Sequence, residues 1–391
     1  MWDLAAKLDA RRQAGLYRRL RPLETQGCVA LAADGRRLDV FCSNDYLGLA
    51  HDPRVTAAFQ RAAAAGVGSG GAHLISGHRA EHEALEAELA EFLGRERALL
   101  FSTGYMANMG VIDALVGKDD VIYEDSLNHA SLLDGARLSG ARRVRYAHAD
   151  LDDLRSRLAP EPVGRELIVT DGLFSMDGDV APLPALARLA RERGAWLLVD
   201  DAHGIGVLGA RGAGSLELAG LGQEQVPVLV GTLGKALGTF GAFVAGSATL
   251  IDYLIQKART FVYTTALPPA LAAATRASLA VVRTEPWRRE HLRGLVRRFR
   301  SGVEALGLPL LPSASPIQPL LVGDAEAALA LSQALERKGC LVTAIRPPTV
   351  PRGTARLRVT FSAAHSVEQV DRLLEALAEL APRWPRAEHL P

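Results

Sequence analysis

Seven short apolar runs recur between residues 54 and 287, and each is of strand length: Ala98–Phe101, Asp120–Tyr123, Arg142–Tyr146, Leu167–Thr170, Trp196–Val199, Val226–Val230 and Gly241–Ala245. All but the last are followed by a helical or a loop-plus-helix stretch. Runs this continuously apolar are buried on both faces, which a parallel sheet covered by helices provides. The pattern therefore predicts an α/β fold built on a mostly parallel central sheet. In such a sheet ligands bind at the carboxyl ends of the strands.

The flanks read differently. Residues 1–53 give a basic helix, with Leu4, Leu8, Leu16 and Leu20 near helical spacing and Arg11, Arg12, Arg18, Arg19 and Arg21 on the other face, then an extended segment. Residues 54–287 form the large domain. Residues 288–391 change grammar: strand Gln318–Val322, helix Ala325–Lys338, strand Cys340–Ile345, a Pro-rich turn, strand Ala355–Phe361 and helix Val367–Leu380. That order predicts a smaller C-terminal α+β domain.

Polar residues collect where the strands end. The strand Trp196–Val199 runs into Asp200-Asp201-Ala202-His203-Gly204, and Val226–Val230 runs into Gly231-Thr232-Leu233-Gly234-Lys235-Ala236-Leu237-Gly238. A lysine set between glycines at a strand end suits a Schiff base better than a solvated surface role. An aspartate one strand away is placed to hold a pyridinium nitrogen, and the pair meets the needs of a pyridoxal-phosphate site. Ala98–Phe101 ends in Ser102-Thr103-Gly104-Tyr105-Met106-Ala107-Asn108, where a capped helix start offers free amides to a phosphate. Taken alone it is equally a plain capped helix. Asp125-Ser126-Leu127-Asn128-His129 and Thr170-Asp171-Gly172-Leu173-Phe174-Ser175-Met176-Asp177-Gly178-Asp179 follow two further strands. By themselves they are a structural histidine and an acidic turn that lacks calcium-loop spacing. Arg358 alternates with Leu357 and Val359, so it either faces solvent or grips a carboxylate bidentately.

Other chemistries fit less well. Gly66-Val67-Gly68-Ser69-Gly70-Gly71 matches GxGxxG but follows a helix, and Gly204-Ile205-Gly206-Val207-Leu208-Gly209 is not followed by residues that open one. A net charge of +1 and 5% aromatic residues give no case for nucleic acid, and no apolar run reaches membrane-span length. Cys28, Cys42 and Cys340 show neither disulfide nor metal spacing, so a reduced, cytoplasmic protein without a metal is expected.

Ordered segments along the chain resemble one family: SNDYLGL (Ser43–Leu49), GSGG (Gly68–Gly71), NHAS (Asn128–Ser131), FSMDGD (Phe174–Asp179), VDDAHG (Val199–Gly204), GTLGKALG (Gly231–Gly238), IRPPTVPRGTARLR (Ile345–Arg358) and AAH (Ala363–His365). From about Leu8 to Leu380 the chain resembles the α-oxoamine synthases, fold-type-I pyridoxal-phosphate transferases. The resemblance implies that Lys235 holds the cofactor and acts as base at the substrate Cα. It implies that Asp200 pairs with the pyridine nitrogen, that His203 and Ser175 meet the phenolate oxygen and that His129 stacks on the ring. Gly104, Tyr105 and Thr232 would hold the phosphate, with Thr264 and Thr265 reaching it from a partner subunit of a homodimer. Asn44 and Arg358 would take the amino-acid carboxylate, and Arg18 and Thr349 the acyl substrate.

The implied reaction is decarboxylative condensation of L-alanine with a pimeloyl thioester, on CoA or acyl carrier protein, in biotin biosynthesis. The tail Ala344–Pro351 and Ala72-His73, where sister enzymes carry Thr-Arg, favour alanine and pimeloyl over glycine or serine with another acyl-CoA. Asp171 stands where some relatives have Glu. A sister activity such as glycine C-acetyltransferase, a nicotinamide oxidoreductase and a non-catalytic relative are the alternatives.

Overall fold

The computed structural model describes residues 2–14, 16–18, 20–32, 34–162 and 164–385. These form two compact units, and each draws on separated stretches of chain. The larger holds Leu47–Ser175 and Asp179–Arg289, and the smaller holds Met1–Tyr46, Met176–Gly178 and Glu290–Pro391. The N-terminal stretch, expected to stand apart, groups with the C-terminal residues, and the boundaries fall at 46/47 and 289/290 instead of 53/54 and 287/288.

The larger unit contains a seven-stranded sheet: β1 (Arg97–Phe101), β2 (Val121–Asp125), β3 (Arg142–Tyr146), β4 (Glu166–Asp171), β5 (Trp196–Asp200), β6 (Val228–Thr232) and β7 (Ala242–Gly246). Its spatial order is β1-β7-β6-β5-β4-β2-β3. Five strands pair in parallel, and only β7 runs antiparallel, to both β1 and β6. Both faces of the sheet are covered. Leu167 and Val169 of β4, Leu198 of β5 and Val228 and Val230 of β6 pack into one core, while Ile168, Leu197, Val199 and Leu229 pack into the other. Alternate side chains of a strand point to opposite faces, so a strand buried on both sides must be apolar at every position. This is why these runs stand out in the sequence.

In the smaller unit Glu24–Gln26, Val29–Leu31 and Arg37–Val40 form an antiparallel meander, and Cys340–Leu341 adds in parallel to Arg37–Val40. A second sheet orders Ile317–Gly323, Ala355–Thr360 and Thr343–Ile345. The run Cys340–Ile345 is therefore two strands in two sheets. They are separated by the buried Val342, whose carbonyl accepts from Ser332 Oγ at 2.6 Å. The N-terminal helix ends sooner than its leucines suggested: it spans Leu4–Gln13 and buries no residue, so Leu16 and Leu20 lie beyond it. Arg19 lies outside the described residues.

Candidate active site

The carboxyl ends of β1, β2, β4, β5 and β6 present Ser102-Thr103, Asp125, Asp171, Asp200 and Thr232 along one edge of the larger unit's sheet. β4 and β5 are in register there, with Asp171 opposite Asp200. Beyond β6 the chain turns tightly: Leu233 N–H donates to Gly241 O at 2.9 Å and Gly238 N–H to Lys235 O at 2.8 Å. That turn holds Lys235 half-buried, with Nζ 2.8 Å from His203 Nε2. A lysine and an imidazole in contact at a strand edge are the pair that Schiff-base chemistry calls for.

Asp200 is 5% exposed and both its oxygens are held. Oδ1 accepts from Ala202 N–H at 3.0 Å, and Oδ2 accepts from Asn108 Nδ2 at 2.6 Å. Asn108 sits on the buried face of helix α1 (Gly104–Leu115) and also donates to Ser131 Oγ at 2.9 Å. Ser131 Oγ lies 2.7 Å from His129 Nδ1, so a continuous chain of polar contacts joins His129 to Asp200. His129 caps helix α2 (Ala130–Leu138), and its backbone N–H donates to Asp171 Oδ2 at 2.7 Å. Burial pushes the Asp171 carboxyl well up, and the neighbouring Asp200 charge adds to this. Burial also lowers the His129 imidazole, and the Lys235 ammonium lowers it further, against the opposing pull of Asp200. Opposite charges thus act on one neutral ring.

Helix α1 begins as expected. Thr103 Oγ1 accepts from Met106 N–H at 3.2 Å, which leaves the Gly104 and Tyr105 amides at a helix start with open space beside Gly104. Tyr105 lies edge-on to His129, with its hydroxyl on Asp134. Ser175 is half-buried. Thr232 spends its hydroxyl on the turn, donating to Gly241 O at 3.1 Å and accepting from Gly234 N–H at 3.3 Å. Thr264 is half-buried, and the exposed Thr265 bridges to Ala72.

The remaining expected residues lie in the smaller unit. Arg358 is 6% exposed, which overturns its solvent-facing reading. Its guanidinium meets Asn44 Oδ1 at 3.2 and 3.3 Å and Tyr46 Oη at 3.5 Å. Arg356, two residues earlier, is ion-paired to Asp177 at 2.5 Å. In the larger unit Asp179 meets His148 at 2.9 Å, so ion pairs engage Asp177 and Asp179. Arg18 and Thr349 are exposed.

Sequence reasoning missed the parts played by Asn108 and Ser131. The available signal was an amide inside an apolar helix (Gly104–Leu115), where a side chain facing the core must find partners.

The residues present fit pyridoxal phosphate: an amine on a tight turn, a buried carboxylate held by two donors and a free helix start. Comparison with known proteins agrees. The family model for aminotransferase class I and II matches residues 39–377, and the chain belongs to that family. The chain is 64% identical over 379 residues to the 8-amino-7-oxononanoate synthase of Alkalilimnicola ehrlichii, covering 96% of this chain and 97% of that one. It is 60% identical over 388 residues to that of Pseudomonas putida KT2440, covering 99% of both. Among solved structures, Sphingomonas wittichii serine palmitoyltransferase superposes with a TM-score of 0.92 at 35% identity, covering 98% of this chain and 100% of that one. The Francisella tularensis 8-amino-7-oxononanoate synthase gives 0.78 at 31% identity, covering 88% and 98%. A serine palmitoyltransferase described as holding PLP gives 0.91 at 33%, covering 98% and 99%. The fold is that of the fold-type-I enzymes, and the cofactor is pyridoxal 5'-phosphate.

Proposed function

We propose that the protein condenses L-alanine with a pimeloyl thioester to give 8-amino-7-oxononanoate, CO2 and free thiol, in biotin biosynthesis. The observation that carries this is the Lys235–His203 contact beside the doubly held Asp200, in a chain 64% identical to a synthase of that name. When bound, pyridoxal phosphate supplies the electron sink that makes the alanine Cα proton acidic enough to remove. Lys235 Nζ would carry the cofactor and, as a free amine, would take that proton. Asp200, fixed in place by Asn108 and Ala202, would pair with the pyridine nitrogen. His129 would lie against the ring, and His203 with Ser175 would meet its phenolate oxygen. The Gly104 and Tyr105 amides, with Thr232, would hold the phosphate. Asn44 and Arg358 grip the alanine carboxylate, and Arg18 and Thr349 contact the acyl chain.

The working form is a homodimer in the cytoplasm, with Thr264 and Thr265 reaching the phosphate of the other copy's site. Exposed apolar side chains support this. Val67, Leu74, Ile75 and Tyr263 are 85%, 50%, 83% and 73% exposed on two segments joined through Ala266 N–H to Gly71 O. Such a surface is usually covered. Among the described residues no helix is long and apolar enough to cross a membrane.

Thiol release tests the reading, with L-alanine plus pimeloyl-CoA set against glycine plus acetyl-CoA. Release confined to the first pair is expected. Release mainly with glycine and acetyl-CoA would move the protein to a sister activity with the same fold and lysine. Mixing Thr265→Ala with Lys235→Ala protein tests the shared sites: activity should reappear in hybrid dimers.

A further inference from the structure

Away from the strand edge, three imidazoles face one another. His73, His78 and His82 stand at intervals of five and four residues. The first interval is one turn of a five-residue π-helix, His73–Gly77, and the second is one turn into the helix Ala80–Leu93. A π-turn brings residues five apart onto one side, and such turns recur at functional positions. This one is wound closely: a Cβ on Gly77 would lie 2.1 Å from Gly71 O. The ring centroids form a near-equilateral triangle of 5.1, 5.2 and 5.3 Å. Three imidazoles on one tetrahedral ion at metal–nitrogen distances of about 2.0–2.1 Å have centroids roughly 5 Å apart.

We propose that His73, His78 and His82 form a binding site for a divalent transition-metal ion of the zinc class, with a water or Glu83 completing the coordination. One nitrogen from each ring already lies within 4.8 Å of the others. His73 Nδ1 and His78 Nδ1 are 2.9 Å apart with a proton between them. An ion replaces that proton when the donor ring shifts to its Nε2–H tautomer, with no net charge released. The far side of one ring is held as ligand histidines usually are, by a carbonyl. His82 Nε2 donates to Leu267 O at 2.6 Å, leaving Nδ1 as its ligand atom, and His78 Nε2 points to Glu83 Oε1 at 4.0 Å. His73 is fixed by stacking on Phe261, with centroids 4.9 Å apart.

The site has room: His73 and His78 line a cavity of about 470 Å³ together with Glu83 and Glu86, so water and an ion have access. The cost falls on one bond: His82 Nδ1 accepts from Arg79 N–H at 2.9 Å and must release it as the rings close around the ion.

The test uses pyridoxal-phosphate-loaded protein, stripped with chelator and titrated at pH 7 with Co²⁺, then with Zn²⁺ as competitor. Saturation at one ion per chain is expected, with a visible ligand-field band of tetrahedral strength that Zn²⁺ removes. The His73→Ala/His78→Ala double variant should lose at least a hundredfold in affinity. His82 also caps its helix, so it is left intact, and circular dichroism of the double variant checks that its fold is kept. Absence of stoichiometric binding, or binding that survives the double substitution in folded protein, overturns the proposal.

Discussion

Asn108 Nδ2 donates to Asp200 Oδ2 at 2.6 Å, and both side chains are buried. A donor locked onto one oxygen of a buried carboxylate fixes its orientation. Asn108→Ala should therefore retain cofactor but turn over more slowly. Losing a hydrogen bond to a charged group costs about 1.5–3 kcal/mol, or roughly ten- to a hundredfold in rate. Asn108→Asp should be worse, because it sets a second carboxylate against Asp200. The measurement is kcat from thiol release, beside the visible spectrum of the bound cofactor across pH. An Asn108→Ala protein with wild-type kcat and spectrum would reduce the contact to packing.

Arg358 offers a second prediction. Its guanidinium is buried against the oxygens of Asn44 and Tyr46. A planar fork grips a carboxylate through two parallel bonds, which a lysine ammonium cannot reproduce. Arg358→Lys should raise KM for L-alanine by about tenfold or more, the value of one charge-assisted bond, and change KM for the acyl thioester little. Equal effects on both substrates would argue that the residue supports the strand instead.

How much of this was legible beforehand follows from the physics of each element. The strands β1, β2, β4, β5 and β6 could be read because burial on two faces forces largely apolar runs, and Lys235, Asp200 and His203 because they follow such runs directly, whereas the edge strand β3 carries three arginines. The strands Glu24–Gln26 and Val29–Leu31 escaped notice: three residues are too few to show such a pattern, Glu24–Gln26 is wholly exposed and Val29–Leu31 buries only Ala30. The break at Val342 was hidden because strands in two sheets there share one apolar run. Asn108 was missed for a different reason. Its role depends on Asp200, ninety-two residues away in sequence, and no local pattern records that distance.

His365 makes the fold sensitive to acid. Its ring is 2% exposed and stacked on Phe41, with Nδ1 accepting from Ser362 N–H at 3.0 Å and Nε2 donating to Val40 O at 3.0 Å. That pair of bonds requires the neutral ring, and burial lowers it from 6.5 to about 4. Between those values the unfolded chain binds the proton and the folded chain does not, so stability falls as pH falls. The contribution is whole above pH 6.5 and lost by pH 4, on the order of 3 kcal/mol. Urea unfolding at pH 7 and pH 5 should show the decline, and His365→Gln should flatten it. An undiminished slope in the variant would assign the acid sensitivity to other groups.

The three cysteines should be inert in the native protein. Burial pushes the Cys28 thiol up to about 12 and the Cys340 thiol to about 11, and raises Cys42 as well. The thiolate is the nucleophile, so at pH 8 Cys28 presents roughly one reactive group in ten thousand, even where reagent can reach it. Cys28 and Cys340 are fully buried and Cys42 half-buried, so access adds to the same order. Iodoacetamide at pH 8 should label none of the three within minutes and all of them in guanidinium, with Cys42 the first to react on long exposure. Because Cys340 pairs alongside Asp39, its labelling reports separation of Cys340–Leu341 from Arg37–Val40. If Cys340 reacted as fast as Cys42, that edge would open readily, and the parallel pairing could not be what holds the N-terminal strands in place.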